Sequence, residues 1–188
     1  MIKKYQKQAE TNTSLNNNHR EYMKTLNIKQ LMTNIEYIRI YDCSTLLECI
    51  HWLNEYIQHN PSIKLICIDS IAFHFRYGWN NNYQMRNRLL SQLTLQLNKL
   101  VRDRHIILVV TNHTTTHYSN NNNNTQTSLK PALGEVWLAG GSANRIIMQY
   151  NTLKQRTAML HKSMQSSTPY QAIYDITNDG IVDVQQNI

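Results

Sequence analysis

A chain of 188 residues, 41% of them hydrophobic, is large enough for one domain with a real core, too short to argue for two, and too apolar to be disordered throughout. No run approaches the ~18 apolar residues of a membrane span, and Met1-Ile2-Lys3-Lys4-Tyr5 lacks a signal peptide's apolar stretch, so an intracellular protein without membrane contact is expected. The formal charge of +7 suits a polyanionic partner, nucleic acid before acidic membrane.

Residues 1–28 are polar, rich in Asn and Lys and without a clear period, which predicts a loosely ordered lead segment. Residues 36–41 have the β-branched and aromatic content of a strand. Thr45 and Glu48 then form a capping-box pattern ahead of Leu46, Ile50, Leu53 and Ile57 at helical spacing, and Asn60-Pro61 ends the helix. Residues 63–68 are a near-continuous apolar strand closing on Asp69-Ser70, as expected for a parallel sheet covered on both faces. Residues 76–86 read as a polar, aromatic loop. A long helix follows, with Leu89, Leu93, Leu97 and Leu100 on one side and Gln92, Lys99 and Arg102 on the other. Residues 105–111 give another buried strand. This order of strands and helices predicts a crossover-built α/β layer. Residues 113–129, with the run Asn120 to Asn124, read as a mobile loop insertion. Beyond Gly140-Gly141, strand-like runs at 145–150, 157–161 and 171–176 predict an antiparallel C-terminal edge.

Chemistry concentrates at two strand ends. Ligands of open α/β sheets bind at the carboxyl ends of strands, and a carboxylate such as Asp69 there can hold a nucleotide's magnesium through water. Thr111, Asn112 and His113 end the other strand, where a side chain can sense a γ-phosphate; turn-forming Thr and Asn are the plainer explanation. The loops that follow carry Arg76, Tyr77, Trp79, Asn80 and Arg86, then Thr114 to Thr116, Lys130, Gly140 and Gly141: cations for phosphates, rings for bases, or an ordinary solvated surface. Cys43, Cys49 and Cys67 are odd in number and lack CxxC spacing, so buried free thiols are expected. His113 and His117 would share a face only on a helix, and a loop is expected there, which argues against a metal site. None of the five glycines lies in a GxxxxGK[ST] pattern, so autonomous ATP hydrolysis is not expected.

Residues 63–76 (IKLICIDSIAFHFR), 85–112 (MRNRLL to VVTN) and 131–137 (PALGEVW) resemble the eukaryotic RecA-like DNA-repair recombinases, nearest their C-type paralogue branch. The similarity runs from about residue 26 to residue 183. It implies an α/β fold, part of a RecA-like P-loop ATPase core whose mostly parallel sheet is flanked by helices. It implies ATP and magnesium as cofactors, with Asp69 as the Walker B carboxylate and Ser70, Asn112 and His113 beside the nucleotide. Residues 76–86 would be a first DNA-binding loop (Arg76, Tyr77, Trp79, Arg86) and residues 113–141 a second (Lys130, Gly140, Gly141). The family usually has Asn-Gln where this chain has Asn112-His113, and Met164 departs from a proline in the nucleotide-capping segment at Lys162, Ser163 and Met164. Single-stranded or junction DNA and paralogous RecA-like subunits are the implied partners, and the nucleus the implied location. The family's P-loop belongs upstream of the matched stretch. A truncated reading frame and a subunit completed by a partner both fit, the first being preferred because a buried parallel sheet seldom tolerates a missing centre. A non-catalytic adaptor with a degenerate nucleotide site is the alternative function.

Overall fold

The computed structural model describes Glu21, Thr25 and residues 27–76, 78–79, 82–121, 124–134, 137, 140, 144–165, 170–178 and 180–184, with backbone only for 116–121 and 124–130. The lead segment before residue 27 lies almost wholly outside these. The chain divides into two compact units, Arg39–Ser142 and a second drawn from either side of it.

In the first unit, helix α2 (Cys43–His59; α1 belongs to the second unit) begins three residues ahead of the expected capping box. Asp42 is the N-cap: Oδ1 accepts from the Thr45 amide at 2.8 Å and from Ser44 Oγ at 2.6 Å, while Oδ2 accepts from Thr45 Oγ1 at 2.8 Å. A carboxylate satisfies an orphan amide as well as a hydroxyl does, so Thr45 becomes a first-turn residue. Leu46, Ile50 and Ile57 are buried, and Asn60 closes the last turn on the Tyr56 and Ile57 carbonyls. Strand β1 (Leu65–Ile68) follows, and then a short helix that the sequence pattern did not predict, α3 (Ile71–Arg76), which buries Ile71, Ala72 and Phe75.

Helix α4 (Tyr83–Arg104) starts inside the expected loop because Asn82 Oδ1 caps the Met85 amide at 3.1 Å. It buries Leu90, Leu93, Thr94, Leu97 and Leu100 and packs against α2. Arg104 fastens the two helices, donating from Nε to Asn54 Oδ1 at 3.0 Å and from Nη2 to Gln58 Oε1 at 2.9 Å. The helix ends on His105 in the left-handed region (φ 51°), and strand β2 (Ile107–Val110) begins two residues later, parallel to β1 with Leu65 opposite Ile107 and Ile68 opposite Val110.

Ile66, Ile68, Leu108 and Val110 pack against the helices. The expectation of a sheet covered on both faces is corrected: Leu65, Ile107 and Val109 are 54%, 66% and 47% exposed, and Cys67 is exposed, not buried. An apolar strand requires burial only on the pleat face that meets a helix. Residues 36–41 form no strand either; Tyr37 and Tyr41 are exposed, and Ile40 packs on the core. Strand propensity acts only through a paired neighbour, and none is formed among the described residues.

The expected polar loop after β2 is a hairpin, β3 (Thr114–Asn121) with β4 (Asn124–Pro131), Thr114 opposite Pro131 and Asn121 opposite Asn124. Its threonines favour extended backbone, and the ladder reaches into the Asn run at Asn120, Asn121 and Asn124. Leu133 and Trp137 then return to the core.

The second unit contains α1 (Ile28–Thr33), capped by Asn27, and an antiparallel meander of β5 (Arg145–Tyr150), β6 (Arg156–Lys162), β7 (Tyr170–Thr177) and β8 (Gly180–Asp183), paired in that order. The first three match the expected C-terminal strands, and β8 was not predicted. Thr157, fully buried, donates from Oγ1 to the Gln149 carbonyl at 3.2 Å.

Candidate nucleotide and polynucleotide site

Parallel pairing in register brings the ends of β1 and β2 side by side, so residues 69–70 meet residues 111–113. Thr111 Oγ1 donates to Asp69 Oδ1 at 2.6 Å. Ser70 Oγ and His113 Nε2 are hydrogen-bonded at 2.8 Å, the direction set by the ring tautomer. The backbone continues the union, with the Thr111 amide on the Ile68 carbonyl at 3.0 Å and the Ile71 amide on the Thr111 carbonyl at 3.2 Å. Between Thr111 and His113, Asn112 Oδ1 is buried with no hydrogen-bond partner among the described residues. Asp69 itself is exposed. The four residues singled out at the strand ends, Asp69, Ser70, Asn112 and His113, thus come together; Thr111, named in the sequence among the polar residues closing the second strand, is the one that anchors Asp69.

The polynucleotide candidates separate. Arg76 ends α3 and is exposed. Trp79 is half-buried and lies parallel to the Phe75 ring, 5.8 Å between centroids and 1° between planes; its Nε1 is buried without a partner among the described residues. Arg86 is also turned inward. Nε donates to the Phe75 carbonyl at 2.8 Å, Nη2 to the Ala132 carbonyl at 3.3 Å and Nη1 to Asn87 Oδ1 at 3.5 Å. Trp79 and Arg86 are thus both held by the fold, the ring against Phe75 and the guanidinium on main-chain carbonyls. The short helix α3 delivers an apolar residue and a carbonyl at Phe75, and both side chains pack onto them.

Lys130 stands in β4 opposite Thr115, with its side chain outside the described atoms. The Gly140 carbonyl accepts from Asn98 Nδ2 at 3.0 Å, and a Cβ there would meet Thr94 Cγ2 at 3.2 Å, so Gly140 serves close packing on α4. Tyr77, Asn80 and Gly141 lie outside the described residues. In the second unit, Lys162 ends β6 opposite Arg145, Ser163 Oγ accepts from the Gln165 amide at 3.1 Å, and Met164 is exposed. Among the described residues no group of three or more His, Cys, Asp or Glu side chains could hold a metal by itself, and no helix is long and apolar enough to cross a membrane.

The profile of the Rad51 family matches residues 19–184. The chain belongs to the Rad51 family. The DNA repair protein RAD51 homolog 3 of Cricetulus griseus is 30% identical over 156 residues, which cover 81% of this chain and 41% of the relative. The protein of the same name from Dictyostelium discoideum is 30% identical over 160 residues, covering 85% and 40%. The chain thus spans about two-fifths of the length of these Rad51 relatives. Membership makes the parallel pair β1–β2, its flanking helices and the antiparallel C-terminal strands parts of a RecA-like α/β fold.

Proposed function

We propose that the chain acts in DNA repair by homologous recombination, as a RecA-like recombinase paralogue that engages single-stranded or junction DNA in the nucleus together with paralogous subunits. The observation that carries this reading is the joining of the two strand ends through Asp69–Thr111 and Ser70–His113, directly ahead of α3 on one side and of the β3–β4 hairpin on the other. The likeness to DNA repair proteins and the charge of +7 support it.

The residues present fit magnesium carried by ATP. Asp69 keeps one carboxylate oxygen without a hydrogen bond among the described residues, and Asn112 offers a buried acceptor without a partner. Hard oxygen donors of this kind suit a magnesium that retains several waters and is held chiefly by phosphates. Bound there, the ion would neutralise phosphate charge. Asp69 would orient its water shell, Thr111 would fix Asp69, and Ser70 would report to His113.

A salt-resolved binding titration tests the proposal. Labelled single-stranded DNA should bind with an affinity that falls steeply between about 50 and about 200 mM salt, by a logarithmic slope near 0.7 per phosphate contacted. Arg76→Ala should flatten that slope. Salt-independent binding, or none, would defeat the DNA assignment. The adaptor reading is favoured by one observation, His113 hydrogen-bonded to Ser70 at the position where the resemblance places Gln. Fluorescent ATP with magnesium separates the two: binding lost in Asp69→Asn supports the nucleotide site, whereas no binding alongside intact capture of a paralogous subunit supports the adaptor.

A further inference from the structure

Arg86 is a cation that the family resemblance directs toward DNA, yet the fold holds its guanidinium on two backbone carbonyls from different elements. Nε meets the Phe75 carbonyl in the last turn of α3, and Nη2 meets the Ala132 carbonyl directly after β4. The Ala132 amide in turn donates to the His113 carbonyl at 2.8 Å, which extends the hairpin ladder by one rung to the residue whose ring touches Ser70. One planar fork therefore ties the end of α3 to the closing end of the hairpin, and the hairpin to the Asp69–Ser70 strand end. Charge-assisted bonds from a rigid guanidinium fix direction as well as distance, which an ammonium on a flexible stem does not.

We propose that Arg86 is a positioning residue: it sets the β3–β4 hairpin against the end of α3 so that both flanks of the site grip one strand in a fixed relation, without itself contacting phosphate. This rests on the DNA-binding function proposed above. Two arms keep its failure distinct from a failure of that reading.

The first arm titrates single-stranded DNA against the full chain across a range of salt, using Arg86→Lys and Arg86→Gln. A positioning role predicts that both variants lose affinity, by about tenfold for one displaced charge-assisted bond, with the wild-type salt slope retained. A phosphate contact predicts the opposite pattern: lysine rescues affinity, and glutamine lowers the slope by about 0.7. The opposite pattern overturns the proposal. The second arm needs no DNA. Amide hydrogen exchange of the free protein should quicken in Arg86→Lys at the last turn of α3 and along residues 114–132 together, with α2 unchanged. Quickening at only one of these places, at neither, or extending into α2 overturns the proposal. If the wild-type chain binds no single strand, the DNA-binding reading falls, and exchange alone still decides whether Arg86 couples the two elements.

Discussion

Replacing Phe75 by alanine tests whether the end of α3, on which Trp79 and Arg86 rest, is a packed part of the core. The side chain is 1% exposed, belongs to the main cluster with Leu46, Leu90 and Leu93, and carries the Trp79 ring on its face. Returning a buried phenylalanine side chain to water costs about 1.5–3 kcal/mol. A residual cavity of ~100 Å³ adds about 2 kcal/mol at ~24 cal/mol per Å³, for a loss of about 3–5 kcal/mol after partial collapse. Such a loss is a large share of the roughly 5–15 kcal/mol that holds a domain folded, so Phe75→Leu is the companion variant. It keeps most of the volume, forfeits the ring pair with Trp79, and should lose only about 1 kcal/mol. Urea unfolding followed by far-ultraviolet circular dichroism measures both, and tryptophan emission should shift to the red in the native alanine variant as Trp79 loses its cover. A loss under about 1.5 kcal/mol for alanine, or equal losses for the two variants, would refute the packing account.

Two pH predictions follow from the same unit. The hydrogen bonds from Ser44 Oγ, the Thr45 amide and Thr45 Oγ1 hold the Asp42 carboxyl at about 2 instead of its ordinary 3.8. A depressed folded-state value gives stability that is full above the unfolded value and lost as pH falls toward the folded one. The melting temperature of the wild type should therefore exceed that of Asp42→Ala at about pH 5, and the two should converge near about pH 2. Burial lowers the His74 imidazole from its ordinary 6.5 against the opposing charge of Asp42, and its Nδ1 is buried without a partner among the described residues. The unfolded chain then takes the proton more readily, so the contribution is favourable above 6.5 and lost as pH falls below it. The urea midpoint of the wild type relative to His74→Leu should decline from about pH 7 to about pH 5, and a constant difference would refute it.

Periodic apolar positions made α2, α4, β1, β2 and the first three C-terminal strands legible, because burial against a neighbour imposes period 3.6 or 2 on the chain itself. The α3 helix was hidden: six residues are too few to show a period, and Ile71, Ala72 and Phe75 are helical through packing. The hairpin at 114–131 was hidden because its residues are polar and its ladder comes from backbone groups that composition does not display. Residues 36–41 erred the other way, since β-branched content promises a strand only where another strand waits. At the site, Asp69 and His113 were visible as polar residues closing apolar runs. The inward turn of Arg86 was not, because its acceptors are main-chain carbonyls 11 and 46 positions away.

The half-open pleat of β1 and β2 has a bearing on how such a protein behaves in solution. Leu65, Cys67, Ile107 and Val109 offer water an oily stripe on every molecule, and a formal charge of +7 keeps those stripes apart. Near 0.15 M salt that repulsion reaches only about 8 Å. Raising the ionic strength therefore lets copies crowd together, so the colloidal behaviour of the chain is set by the salt around it.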